Sequence, residues 1–332
     1  MSKAATSTQT DILSQFTPRS LADSGVSIGF VFYERHHLPH LKYKRRPLAF
    51  QTTATSLTTN ISAQPITQQA NNPHHLIAKM EVEMTDKPAT LSTFIENLPK
   101  DSTLYVDLEG NNLSHHGNLS HHGTLSLITI LVEPRPTVHL IDVTILGKEA
   151  LSTPSGNGSG SSIEGQQTHQ RILESSKIPK IFFDIRNDSD ALFSLFGIRV
   201  AGIEDLQLTE SGTRTGSKRL IKGLAKAIEQ DARLSAAEIK SWKEVKESGK
   251  RLFVPELCGN FAVFDQRRLS AEIVKYSVQD VLHMPALRRT YLDQLGPVWK
   301  AKVEEEGFGR IALSQSAGFN GRGRDMAEGP EA

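Results

Sequence analysis

Segments patterned for strands and helices begin near Met80. The stretch STLYVDLEG (102–110) has period two and is rich in strong β formers, which predicts a strand. TLSLITILVEP (124–134) and TVHLIDV (137–143) predict two more, joined by a tight turn through Pro134 and Pro136. KIFFDI (180–185) and RVAGIEDL (199–206) predict a fourth and a fifth. Helical spacing marks TLSTFIENL (90–98) with Thr90 or Ser92 as cap, a segment through His169 to Ser175, and DSDALFSLFG (188–197) closed by Gly197. It also marks 217–230, 235–248 and 270–294. Three adjacent strands followed by alternating helices and strands predict a layered α/β domain with a mixed sheet. TPSGNGSGSS (153–162) reads as a flexible loop.

Residues 1–80 differ from the rest. QTTATSLTTNISAQPITQQANN (51–72) has too little apolar surface to offset the entropy of ordering, so the expectation is a disordered tail. HHLPHLKYKRRP (36–47) carries Lys42, Lys44, Arg45 and Arg46. A nucleic-acid contact or a nuclear address is the sharp reading of that cluster, and a solvated basic patch is the simpler one. The excess of basic over acidic residues also leaves a transit peptide open, against which Asp11 counts. The expected layout is a tail over 1–80, a domain over 81–300 and a C-terminal extension over 301–332, whose Gly-rich part is read as a second tail or a wrap.

Composition narrows the chemistry. Lys and Arg number 38 against 37 Asp and Glu, so bulk charge does not announce a nucleic-acid binder, although a local patch would suffice. Cys258 is the only cysteine, which excludes an internal disulfide framework, a cysteine zinc site and an iron–sulfur cluster. No apolar run approaches the ~20 residues of a transmembrane helix. The expectation is a soluble intracellular chain, nuclear or cytoplasmic, with mitochondria open and no membrane partner. The hexapeptide NLSHHG occurs in tandem at 112–117 and 118–123. His115, His116, His121 and His122 suggest a metal site, but a duplication that lengthens one loop explains the repeat without a ligand.

Carboxylates carry the candidate chemistry. On the strand 102–110, Leu104, Val106 and Leu108 share one face, while Tyr105, Asp107 and Glu109 share the other. Two acids side by side repel unless a cation or a proton intervenes, and hard oxygen ligands suit Mg²⁺ or Mn²⁺. Asp184 ends a predicted strand; Asp188 and Asp190 open a helix, where they also favour its dipole. Tyr276 and Asp280 lie four residues apart on one helical face, about 6 Å along the axis. Each piece alone has an ordinary structural explanation.

In order, the pieces resemble the DEDD 3′–5′ exonucleases, in the DEDDy branch whose third motif is Tyr-x-x-x-Asp. VDLEG corresponds to the first motif, IRNDSDALFSLFGI to the second and YSVQD to the third, over roughly residues 100–295. Counting back from Gly197 places the second motif's aspartate on Asp188 rather than Asp184 or Asp190. The chain looks closest to the ribonuclease D/Werner-type group, and within it to fungal-like exonuclease-domain proteins. The resemblance implies a ribonuclease H-like fold with a mixed five-stranded sheet, and 3′–5′ hydrolysis of nucleic acid with two Mg²⁺ or Mn²⁺ ions. It implies that Asp107 bridges both ions, that Glu109 and Asp280 hold the ion that activates water, that Asp188 serves the second, and that Tyr276 orients the water. Phe183 stands where many relatives carry His near the second motif, which bears on substrate contacts.

For the substrate strand, RTGSKRLIKGLAK (214–226) supplies Arg214, Lys218, Arg219, Lys222 and Lys226. Lys218, Lys222 and Lys226 would share a helical face, as a phosphate guide or simply as a solvated surface. His283 is expected to be structural rather than a contact to the scissile phosphate, and Phe182 and Phe183 to be core rather than base-stacking platforms. Two other readings remain: an exonuclease fold turned binding adaptor, and a phosphohydrolase acting on nucleotides. The absence of a G-x-x-x-x-G-K-[ST] loop and of a G-x-G-x-x-G fingerprint counts against motors and dinucleotide enzymes.

Overall fold

The computed structural model describes residues 80–111, 113, 123–156 and 166–330. The N-terminal basic cluster and both NLSHHG copies lie outside them, except Leu113 and Gly123. The sheet has six strands in the order β1-β4-β3-β2-β5-β6: β1 (Glu81–Thr85), β2 (Thr103–Asn111), β3 (Thr124–Glu133), β4 (Thr137–Asp142), β5 (Lys180–Phe182) and β6 (Ile203–Asp205). Strands β2, β3 and β4 form the expected antiparallel meander, and β5 and β6 join β2 in parallel.

The five-strand expectation is corrected by β1, which pairs in parallel with β4 at the edge. Its sequence, EVEMT, hid it. Val82 and Met84 are 42% and 38% exposed, so neither face carries the buried stripe that marks a strand.

Two apolar layers sandwich the sheet. Leu104, Val106 and Leu108 of β2 enter one layer with α1 (Pro88–Glu96) and α5 (Ile185–Phe196); the short helices α2 (Val143–Leu146), α3 (Glu149–Ser152) and α4 (His169–Glu174) complete it. Tyr105 enters the other, built on α7 (Leu224–Asp231), α8 (Ala236–Phe253), α9 (Ala271–Leu282) and α10 (Met284–Leu292). Helix α6 (Leu206–Thr213) follows β6 directly.

Three helices depart from expectation for local reasons. The segment 217–223 is not helical; α7 starts at Leu224 with Gly223 as its N-cap. The expected helix 270–294 breaks at His283. Pro285, which cannot donate to the preceding turn, sits in the first turn of α10. Helix α8 runs five residues beyond the expected 248 to Phe253, started by a capping box between Ser235 and Glu238.

The boundary expected at 300/301 falls inside α11 (Pro297–Ser314), which packs on α5, α6 and β6. The chain then wraps back: Ile221 N–H donates to Ala327 O and Gly329 N–H to Arg219 O. Among the described residues no helix is long and apolar enough to cross a membrane.

Candidate active site

Strand β2 delivers Asp107 and Glu109 on the face opposite Leu104, Val106 and Leu108, as period two requires. The ladder to β3 shifts register between Glu109 and Gly110. At Gly110 a Cβ would meet Thr124 O at 2.0 Å, so only glycine allows the two backbones to approach there. The bulge lies next to Glu109, where a bend aims the side chain.

Helix α9, capped by Ser270 on Ile273 N, lays Tyr276 and Asp280 against this face. Carboxylate oxygens of Asp107, Glu109 and Asp280 all fall within 4.8 Å of one another. Helix α5 approaches from the other layer and brings Asp188 near enough for its charge and those of Asp107 and Glu109 to act on one another, though it is not one of that close group of three.

The three acids named for the second motif differ in their surroundings. The Asp184 carboxylate is clasped by Arg186, with Nε and Nη2 donating at 2.7 Å each. Asp190 accepts from Ser194 Oγ at 3.1 Å. Asp188 Oδ1 is buried without a partner. Gly197, the residue used for counting, does close α5 in the left-handed conformation at φ 70°.

Burial pushes the Asp107 carboxyl well above its ordinary range, and Asp280 adds to the push while Lys246 opposes it. Burial also raises Glu109, reinforced by Asp107 and Asp280. Burial raises Asp188 too, with Asp107, Asp184 and Glu109 adding to it. Asp184 behaves otherwise: burial alone would raise it, but Arg186 and Arg310 outweigh burial and hold it low. So many acids converging in a partly buried place raise their energy unless positive charge joins them.

The donor set fits divalent cations. It is all carboxylate, and Glu109 Oε1 and Asp188 Oδ1 are buried with no hydrogen-bond donor.

Tyr276 is 7% exposed and its ring is packed edge-on by Phe253, with centroids 4.9 Å apart. Burial, then the nearby charges of Asp280 and Glu109, push its hydroxyl well above the usual value, so it stays protonated.

The matching region covers most of the described residues. A family model of 3′–5′ exonucleases matches residues 82–292. The chain belongs to the 3′–5′ exonuclease family. A search of curated proteins returned no match. Among solved structures, RNase D of Trypanosoma brucei in a complex with GMP superposes with a TM-score of 0.54 at 21% identity, covering 73% of this chain and 67% of that one. The same protein in complex with RNA U12 gives 0.54 at 19% identity, covering 73% of each chain. At that identity the likeness is one of fold: a ribonuclease H-like exonuclease domain with a mixed sheet between helical layers.

The exonuclease domain does not bear out the expected basic helix face. Lys218 Nζ donates to Ser211 O at 2.7 Å and to Arg214 O, capping the end of α6, and lies 4.5 Å above the Trp299 ring. Lys222 pairs with Glu210 at 3.0 Å and Asp231 at 2.8 Å. Arg214 also pairs with Glu210. These ammonium and guanidinium groups are committed to the fold, while Arg219 and Lys226 are exposed. His283 is buried at the α9–α10 junction, and burial lowers its pKa to about 4. Phe182 is fully buried and Phe183 packs on the second layer.

One residue of the candidate site escapes the motif reading. Lys246 Nζ donates to both oxygens of Asp280, at 2.7 and 2.6 Å, and sits 3.1 Å from the Tyr276 ring centroid. Its signal was periodicity: Trp242, Lys246, Gly249, Lys250 and Phe253 form the buried face of α8, and a lysine there needs an acid to meet.

Proposed function

We propose that this chain hydrolyses nucleic acid from the 3′ end, releasing nucleotides stepwise. The observation that carries the reading is the convergence of Asp107, Glu109 and Asp280 within 4.8 Å, with the charge of Asp188 close enough to act on Asp107 and Glu109. Asp107, Glu109, Asp188 and Asp280 are the residues that would hold divalent ions, Mg²⁺ or Mn²⁺. Bound there, a pair of ions supplies positive charge against the attacking and leaving oxygens of a phosphodiester.

The protein's own part is positional. The bulge at Glu109/Gly110 and the caps of α5 and α9 fix the acids before substrate arrives, which lowers the reorganisation needed during reaction. Tyr276 keeps its proton and acts as a hydrogen-bonding guide for the attacking water rather than as a base. In the reaction the water gives up a proton to solvent as its oxygen bonds to phosphorus, the bond to the leaving 3′ oxygen breaks, and that oxygen takes up a proton. The RNA held by the Trypanosoma brucei RNase D supports a nucleic-acid substrate.

The test is digestion of paired end-labelled RNA and DNA oligomers with Mg²⁺, with Mn²⁺ and with chelator. A ladder shortening from the 3′ end, lost in chelator and in Asp107→Ala and Asp280→Asn, is the expected result. Full activity in either purified variant overturns the assignment. Binding of the oligomers without cleavage under every condition would favour an adaptor.

A further inference from the structure

Positive charge is distributed unevenly around the four acids. Glu109 Oε1 and Asp188 Oδ1 have no donor, whereas both oxygens of Asp280 are taken by one ammonium group. That group is itself enclosed: the Lys246 side chain is 8% exposed and the Asp280 side chain 13%. The Tyr276 ring forms one wall, so the cation rests between a carboxylate and an aromatic face. The setting is rigid as well. A Cβ on Gly249, one turn along α8, would lie 2.6 Å from Tyr276 Cβ and Cδ2, so the Tyr276 side chain packs directly on the α8 backbone at this level.

We infer that Lys246 is a built-in counter-ion of the carboxylate centre and competes with a divalent cation for Asp280. The inference rests on the proposed metal-holding role of these acids. An oxygen that accepts a short hydrogen bond from an ammonium group is not free to coordinate an ion, and the ammonium charge repels an incoming cation. With no ion bound, Lys246 keeps the acids from facing one another without compensation. Once an ion takes Asp280, the ammonium group must give up both hydrogen bonds. The cost is carried by the lysine, and the apparent affinity of the site falls by that amount.

The test is titration of Mn²⁺ alone into the full chain, by calorimetry and by paramagnetic resonance, for wild type, Lys246→Met and Lys246→Gln. Both substitutions are expected to tighten binding by about tenfold or more, since a charge-assisted pair no longer opposes it. Thermal melting supplies a second readout. Each variant should melt lower than wild type without metal, and should gain more from added Mn²⁺. Lys246→Arg, which keeps a cation on Asp280, should bind Mn²⁺ no tighter than wild type. Folded Met and Gln variants with unchanged or weaker affinity overturn the inference. A wild-type chain that takes up no Mn²⁺ at all instead overturns the metal-holding role.

Discussion

Arg310→Met measures what holds the second-motif helix in place. Arg310 lies on α11, beyond the family match, and is 7% exposed. Its Nη1 donates to Asp205 Oδ2 at 2.7 Å and to Gln207 Oε1 at 2.9 Å, and lies 3.5 Å from Asp184. The Asp205 side chain has no exposure, and one carboxylate caps two helices: it accepts from Asp184 N and Ile185 N, opening α5, and from Gln207 N, opening α6. Methionine would leave that buried charge without its ion partner. Removing one member of a buried pair costs roughly 3–5 kcal/mol. The backbone donors that remain on Asp205 place the expectation near the lower end, about 3 kcal/mol. That is a large share of the roughly 5–15 kcal/mol typical of a folded domain. It corresponds to a fall in Tm of about 6–12 °C at this size. Urea titration at pH 7 reads it as a lower midpoint at unchanged slope. Because Asp188 sits one turn into α5, Mn²⁺ affinity should fall alongside. A loss below about 1 kcal/mol, or an additive double mutant with Asp205→Asn, would refute the claim that the two charges depend on each other.

Three other outcomes are expected. Asp107→Asn should raise the Tm of the metal-free chain while abolishing Mn²⁺ uptake. Burial and Asp280 raise the folded pKa of Asp107, so its ionised form subtracts from stability at neutral pH and the neutral isostere removes that burden; a lower Tm contradicts this. Gly249→Ala should push Tyr276 off its position and cost about 1–3 kcal/mol, read by melting and by the altered near-ultraviolet signal of the tyrosine. His169, whose Nδ1 meets Ala150 O at 3.0 Å, is held near pKa 4 by burial. The unfolded chain protonates it at about 6.5, so the stability tied to its neutral form is present above about pH 6.5 and declines as pH falls toward 4. On the order of 3 kcal/mol is lost across that window, and His169→Gln should show a shallower decline by urea titration. Equal slopes in the two proteins would sink the assignment.

What the sequence disclosed follows from where the physics is local. Alternation in 102–110 sorted Tyr105, Asp107 and Glu109 onto one face because a strand's period depends on the backbone alone. Gly197 was legible as the end of α5 because a left-handed helix end favours glycine. Lys246, Arg310 and β1 were not legible in the same way. Lys246 meets Asp280 across 34 positions, and Arg310 meets Asp205 across 105. Nothing in the neighbouring residues announces either partner. The basic run at 214–226 misled for the complementary reason. Lysines spaced for a helix face instead serve Ser211 O, Glu210 and Asp231, because Gly223 delays the helix to Leu224. The segment after 307, glycine-rich to the eye, stays helical to Ser314 because Arg310 and Ile311 have buried partners to reach.

The acids of the site enter from β2, α5 and α9, so no short piece of the chain contains them all. An unfolded chain therefore has no comparable place to offer, and any ion they hold discriminates between the folded and unfolded states. Such an ion adds free energy that grows with the logarithm of its concentration, about 2.7 kcal/mol at a hundred times its Kd. A melting curve recorded against increasing Mn²⁺ thus becomes a binding isotherm, one that works equally for variants unable to cut anything.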